Sequence, residues 1–493
     1  MVSSLDPNAT EIFFGDRAYT WSDLRRVADT VSALLDSAAV PPEAAVGWIA
    51  RNDPSVAASA LGLLISGRCI CPLNPMQPAD RLGAEIADLK IAVIVGIPSD
   101  LSDNIVAGLS IAGGIAISVD IEGPLPATLL QGFSNLGPGP FRETGQDVVL
   151  ERMSSGTTGT PKRIPVSESV FSLSMELSKR GVRSSESAFQ LKRSPGIQVG
   201  PFGHAAGIFH LVMCLHHGRP IILFDKFEPH AWAGAVQRHG VKTCSLVPSM
   251  VQMVLDADPP PEMLSSLLCV RSGTAPLDPA AKSAFEARFD IPILTEYGAT
   301  EFMGGVAGWT LDDYRKLGQT KIGAAGRLLK DVEAQIRDPE TNRPVDGLAN
   351  GTLFLKSDRW GPDWIRTTDI ASLDEDGFLY IHGRSDEAII RGGFKVLPEK
   401  VAEVLRKHPS VRDACVLGIK DRRLGAVPLA VVETRSGHDI PLPDTLRALV
   451  RQHMPAYCVP TAIELTHELP RTLSLKVARP ALRARYATQY DFT

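Results

Sequence analysis

Ser154-Ser155-Gly156-Thr157-Thr158-Gly159-Thr160-Pro161-Lys162 is a run of hydroxyls and glycines closed by Pro-Lys. Such a run has nothing to bury in a core. It does offer backbone N–H groups, hydroxyls and one ammonium to a polyanion, which is what a phosphate-cradling loop requires. The spacing is not that of a Walker A loop, which needs glycine, four residues and then Gly-Lys-Ser/Thr; here Pro161 directly precedes the lysine. A Ser/Thr/Gly surface loop would have the same composition, so the surrounding chain must decide between the two readings.

Outward from this run, short apolar β-branched segments alternate with amphipathic ones through the first 380 or so residues. Ala45–Ile49, Ile91–Ile97, Ile115–Ile121, Ile221–Phe224, Thr243–Val247 and Leu267–Val270 read as buried strands. Trp21–Leu35 and Pro279–Phe289 have helical periodicity, and Thr20 and Ser22 offer caps to the first. Alternating strand and helix implies α/β architecture, with mostly parallel sheets covered by helices on both faces. A phosphate loop in such a sheet sits beyond the strand ends. After Arg384 the pattern resets: helices at Pro398–Lys407, Pro443–His453 and Ala478–Tyr486, strands at Ala414–Ile419, Leu429–Glu433 and Ala462–Leu465. This predicts a large domain over 1–384, a boundary at 385–386 and a small α+β domain over 387–493, about 100 residues and large enough to fold alone.

At 493 residues the chain is too long for a single core. Its 44% hydrophobic and 22% charged residues fit a soluble globular protein, and a net charge of −5 gives no reason to expect nucleic acid or an anionic membrane as partner. The seven cysteines lie mostly in apolar runs without zinc spacing, so they are expected to stay reduced in a cytoplasmic protein. The N-terminal residues lack the basic and apolar regions of a signal peptide. The most apolar window, Ile105–Val119, is shorter than the roughly 20 residues a membrane span needs.

Further motifs follow in order. Tyr297-Gly298-Ala299-Thr300-Glu301, Arg366-Thr367-Thr368-Asp369, Gly383-Arg384-Ser385-Asp386-Glu387 with Gly392-Gly393, and Pro470-Arg471-Thr472-Leu473-Ser474-Leu475-Lys476 all lie downstream of the first run. Together with 154–162 they closely resemble the motifs of the adenylate-forming superfamily, which comprises acyl-CoA synthetases, adenylation domains and luciferases. The chain is most like an acyl-CoA synthetase. It departs from the pattern at Arg163, Thr368 and Leu475, which stand where glycine is usual. Arg163 is expected to add a bulky cation to the loop. Leu475 is expected to exclude a left-handed backbone.

The resemblance implies an ATP-dependent acid–CoA ligase that forms an acyl-adenylate and then a thioester. It implies that Ser154, Ser155, Gly156, Thr157, Thr158, Gly159 and Lys162 hold the β- and γ-phosphates, Thr300 the α-phosphate, and Glu301 a Mg²⁺ ion. Tyr297 and Gly298 on one side, and Gly273-Thr274-Ala275 on the other, would enclose adenine. Asp369 would bind the ribose and Arg384 the ribose or a phosphate, Lys476 would stabilise the adenylating transition state, and Asp386 would be the hinge of a mobile small domain. His204, in Pro201-Phe202-Gly203-His204-Ala205-Ala206-Gly207, resembles a histidine beside the acyl pocket. Gly203, Ala205, Met303, Gly304 and Gly305 would line that pocket, leaving room for a bulky, aromatic or extended acid. Gly392-Gly393 resembles a loop along the pantetheine tunnel. The expected partners are therefore a carboxylic acid, ATP and CoA, with a homodimer as the assembly allowed. A carrier protein as acyl acceptor, and a catalytically silent nucleotide-binding homologue, are the alternatives. The His216-His217-Gly218 run reads as a helix C-terminus.

Overall fold

The computed structural model describes residues 6–153, 163–179, 191–299, 302, 304–345, 347–472 and 475–493. They fall into two compact units. One draws on the chain up to Ser245 with Ala257–Leu268 and Ala299–Gly304; the other on Leu246–Asp256, Cys269–Gly298 and Gly305–Thr493.

The first unit is built on a seven-stranded sheet in the order Ala127–Leu129, Ile115–Val119, Val93–Gly96, Val46–Ile49, Ile70–Leu73, Val148–Met153, Arg163–Ser167. Its inner strands are parallel and its two edge pairings antiparallel. Val46–Ile49, Ile70–Leu73 and Val93–Gly96 are buried at every position, as strands covered on both faces must be. Helix Trp21–Ser37 begins on Thr20, whose hydroxyl accepts from Asp23 N–H while the Asp23 carboxylate accepts from Thr20 N–H. That capping box satisfies two otherwise orphan donors. Val27, Val31 and Leu35 of this helix share a core with Val56 and Leu63 of helix Pro54–Ile65, each side chain contributing roughly 1.5–3 kcal/mol by leaving water. A second, four-stranded sheet carries Thr10–Phe14 between Ile221–Leu223 and Arg17–Thr20. Helix Ala205–His216 ends at His217 and Gly218, as the His-His-Gly run implies.

In the second unit the sheet begins parallel, Cys269–Ser272 beside Ile293–Ala299. From Gly304–Gly308 it continues antiparallel through Gly326–Leu328, Phe378–Arg384, Gly361–Leu373, Gly351–Ser357 and Glu333–Arg337. The fold is thus α/β with mixed sheets, because the crossover helices that parallel pairing requires largely disappear after residue 304. C-terminal to this sheet, Gly425–Thr434 pairs antiparallel with Val411–Asp421 and Ile389–Arg391 and parallel with Ala462–Thr466. Helices Pro398–Leu405 and Pro443–His453 supply Val401, Leu405, Leu446 and Val450 to its core. Among the described residues all seven cysteines are buried and free, and no helix is long and apolar enough to cross a membrane.

Candidate active site

Three of the expected nucleotide contacts are assembled by strand pairing in the second unit. Asp369 and Arg384 are cross-strand partners in Gly361–Leu373 and Phe378–Arg384. Tyr297, in Ile293–Ala299, donates its phenolic O–H to Asp369 Oδ2 at 2.6 Å. Asp369 N–H donates to Thr367 Oγ1, and that hydroxyl donates to the Leu353 carbonyl. An aromatic ring and a carboxylate, joined by that hydrogen bond, suit a base and a ribose diol respectively.

Arg384 is turned toward the expected hinge. Its Nε and Nη2 donate to the two Asp386 carboxylate oxygens at 3.0 and 2.8 Å. This bidentate pair holds the guanidinium above its ordinary pKa. Burial pushes the Asp386 carboxyl up, but the hydrogen bonds and charge of Arg384 outweigh it and leave the group below the usual carboxylate range. Ser385 fastens the same turn, donating N–H and Oγ–H to the Thr368 carbonyl at 2.7 and 2.9 Å. Thr368 has none of the left-handed backbone found at other positions. Its replacement of glycine therefore costs no backbone strain.

Lys476 sits on a tight hairpin. Arg471 pairs with Val477, Thr472 N–H donates to the Lys476 carbonyl, and Leu475 N–H donates to the Thr472 carbonyl. That pattern is a hairpin turn closed by a left-handed residue, the position glycine normally fills. Leu475 occupies it at φ 58°. The expectation that leucine excludes a left-handed backbone there is overturned. The turn's hydrogen bonds impose the conformation, at a cost of roughly 1–2 kcal/mol for a side chain with a Cβ. Lys476 is exposed as a residue. Crowding of its ammonium by the surrounding protein, then the positive charge of Arg384, hold its pKa below the ordinary lysine value. The two cations thus share one electrostatic neighbourhood, as a site for a polyanion would require.

The Gly273-Thr274-Ala275 loop, expected beside adenine, follows strand Cys269–Ser272, and its Thr274 is also left-handed, at φ 69°. Gly392 and Gly393, at φ 57° and 86°, form the turn between Ile389–Arg391 and Phe394–Val396. Phe394 beside them stacks on Tyr457 with ring centroids 4.7 Å apart and remains half exposed.

In the first unit, His204 is the N-cap residue of helix Ala205–His216. Phe202 is buried against Trp48, and its N–H donates to Asn52 Oδ1, so it belongs to the core. Among the described residues, a Cβ at Gly203 would meet only Ala50, at 3.5 Å, and one at Gly305 of the second unit only Leu329, at 3.7 Å. Gly304 differs: its φ of 130° lies where side chains rarely go, so glycine there answers a backbone requirement.

Ser154, Ser155, Gly156, Thr157, Thr158, Gly159, Lys162, Thr300, Glu301 and Met303 lie outside the described residues. The strands on either side of 154–162 are described. Val148–Met153 runs parallel to Ile70–Leu73 and pairs antiparallel with Arg163–Ser167, Met153 opposite Arg163. Arg163 does not add a free cation to the loop. Its side chain, 11% exposed, is directed inward and donates to Glu85 Oε1, Cys71 Sγ and the Pro72 carbonyl. The sequence pattern gave no sign of these long-range partners, nor of the carboxylates that Arg471 binds. Arg471 Nη2 lies 3.0 Å from Asp413 Oδ2 and 2.9 Å from Glu433 Oε2. Burial raises the Asp413 carboxyl, but Arg406 and Arg471 together leave it below the usual range.

Residues 3–360 match the AMP-binding enzyme family and residues 400–476 the AMP-binding enzyme C-terminal domain. The chain is similar to a 2-succinylbenzoate–CoA ligase of Bacillus pumilus strain SAFR-032, 26% identical over 497 residues covering 97% of this chain and 96% of that protein. It is also similar to a feruloyl-CoA synthase of an Amycolatopsis species, 28% identical over 511 residues covering 98% and 97%. In fold it resembles ATP-bound MatB from Rhodopseudomonas palustris, with a TM-score of 0.81 at 21% identity over 98% of this chain and 96% of that one. Both family segments occur in order and the matched relatives span the whole chain, so the protein belongs to the AMP-binding, adenylate-forming enzyme family and is acyl-CoA-synthetase-like.

Proposed function

We propose that the chain joins a carboxylic acid to CoA in two steps. A carboxylate oxygen first attacks the α-phosphorus of ATP and pyrophosphate leaves. The CoA thiol then attacks the acyl carbon and AMP leaves. A free carboxylate is a poor electrophile because its charge is delocalised and its oxygen leaves badly; adenylate is a far better leaving group. The observation that carries this reading is the Tyr297–Asp369–Arg384 arrangement on paired strands, with the Lys476 ammonium in the field of Arg384.

In this reading Tyr297 and the Gly273-Thr274-Ala275 loop flank adenine, and Asp369 accepts from the ribose hydroxyls. Thr157, Thr158 and Lys162 bind the terminal phosphates and Thr300 the α-phosphate. Glu301 would supply a carboxylate oxygen to Mg²⁺, a hard cation that otherwise prefers phosphate oxygens and neutralises their charge when bound. Lys476 stabilises charge that develops as the carboxylate meets the α-phosphate, a contact stronger in the transition state than before it. Asp386 is the pivot about which the segment carrying Lys476 moves between the half-reactions, and His204 lies at the acyl end. The chain acts in the cytoplasm.

The acid is an aromatic or similarly bulky one. Relatives named for the aromatic acids 2-succinylbenzoate and ferulate support this. Acid-dependent ATP–pyrophosphate exchange, followed by CoA-dependent AMP release across a panel of acids, tests the reading. Exchange with no acid would leave a nucleotide-binding homologue; exchange without CoA consumption would point to a carrier protein as acceptor. Gly305→Leu should move preference toward smaller acids by about 10–200-fold in kcat/KM. An unchanged ranking would take Gly305 out of the pocket.

A further inference from the structure

Lys476 extends from a short hairpin, and in this chain the residue just before it takes a backbone conformation that leucine disfavours. The turn's own hydrogen bonds set that conformation, and contacts from outside the turn add to their hold. Asp413 and Glu433 are cross-strand partners in Val411–Asp421 and Gly425–Thr434, and the Glu433 side chain is only 1% exposed. Two adjacent carboxylates with one so deeply buried require cations. Arg406, the C-cap residue of helix Pro398–Leu405, binds Asp413, and Arg412 binds Glu433. The third cation, Arg471, bridges both carboxylates through Nη2. Its Nη1 reaches across the hairpin to the Leu475 carbonyl, a long contact of 3.4 Å. Glu433 also accepts the Leu469 N–H, fixing the entering leg of the same hairpin. A guanidinium can serve all three acceptors at once because its N–H groups form a rigid fork; an ammonium cannot hold that geometry.

We propose that Arg471 is a positioning residue for Lys476: by tying the Leu475 peptide to the Asp413–Glu433 pair, it keeps this turn left-handed despite leucine and so keeps the lysine aimed. The proposal rests on Lys476 acting in adenylation. Arg471 touches no reacting atom, so its loss should lower kcat of one half-reaction and leave KM for ATP nearly unchanged.

A four-enzyme cycle tests it, with wild type, Arg471→Gln, Leu475→Gly and the double variant assayed for both half-reactions. Arg471→Gln should reduce adenylation kcat by about 100-fold while KM for ATP and transfer from supplied acyl-adenylate to CoA stay within about threefold. In the Leu475→Gly background, where the left-handed turn is intrinsically accessible, the same substitution should cost less than about tenfold. Equal penalties in the two backgrounds, or equal loss of both half-reactions, overturn the proposal. If Arg471→Gln does not fold, Arg471→Lys takes its place; it keeps the charge but lacks the fork, and the same background dependence is required. Lys476→Ala retaining adenylation within about tenfold overturns the proposal through the reading beneath it, and is distinguishable from the other failures.

Discussion

Thr368 and Leu475 both stand where the resembled motifs have glycine, and the chain treats them in opposite ways. Thr368 lies within strand Gly361–Leu373, and its carbonyl takes two hydrogen bonds from Ser385. A β-branched residue with extended backbone suits a strand, so nothing there calls for glycine. Leu475 closes a hydrogen-bonded turn and is itself left-handed. The same departure from a motif is therefore free at one site and costly at the other. The difference is decided by the dihedral the hydrogen bonds demand. A costly conformation next to a proposed catalytic lysine is also the one with an outside brace, Arg471.

The comparison can be broken most visibly at Lys476. Lys476→Ala should lower adenylation kcat by about 10²–10³-fold, while transfer from supplied acyl-adenylate to CoA stays near wild type. Pyrophosphate release and CoA consumption, measured separately, check this. Equal loss in both would mean the strained hairpin serves stability alone.

A smaller effect sharpens the electrostatics. In the proposed role the ammonium form of Lys476 does the work, and crowding and then Arg384 favour its neutral form. Activity should therefore fall with rising pH at a value below the ordinary lysine pKa of about 10.4. In the kcat/KM profile for adenylation, which reports the free enzyme, Arg384→Gln should shift that alkaline limb upward and Lys476→Arg should shift it further. A limb unmoved by both would belong to another group.

The smallest effect bears on the glycine positions directly. Thr368→Gly should destabilise by about 0.5–1 kcal/mol, since glycine loses more backbone freedom on entering a strand. Leu475→Gly should be neutral or stabilising by up to about 1 kcal/mol, because relief of the left-handed strain offsets the same entropy. Denaturation midpoints of the full chain give the order. A larger loss for Leu475→Gly would show that its side chain, and not its backbone, matters to the hairpin.

The chain's local chemistry was enough to locate most elements. Helices Pro279–Phe289 and Pro443–His453 begin and end where Pro at the first turn and apolar periodicity place them, because those signals act over neighbouring residues. The Thr20 cap and the His216-His217-Gly218 terminus are local in the same sense. The antiparallel run from Gly304 to Arg384 was not legible, since pairing direction depends on which strands meet and not on their own composition. At the site, the residue types of Tyr297, Asp369, Arg384 and Lys476 stood out through their motifs. The hydrogen bond from Tyr297 to Asp369, 72 positions apart, is a product of sheet order alone.

By itself the sequence determined which groups this protein can bring to a phosphate, a base and a carboxylate, because functional-group chemistry is fixed residue by residue. Only the tertiary structure decided what the three departures from glycine mean. Arg163 is bound inward by Glu85, Thr368 rests in a strand, and Leu475 is held left-handed beside Arg471. A side chain's role follows from its partners and its backbone dihedrals. Both are set by residues far away in the chain, and a local pattern carries no record of them.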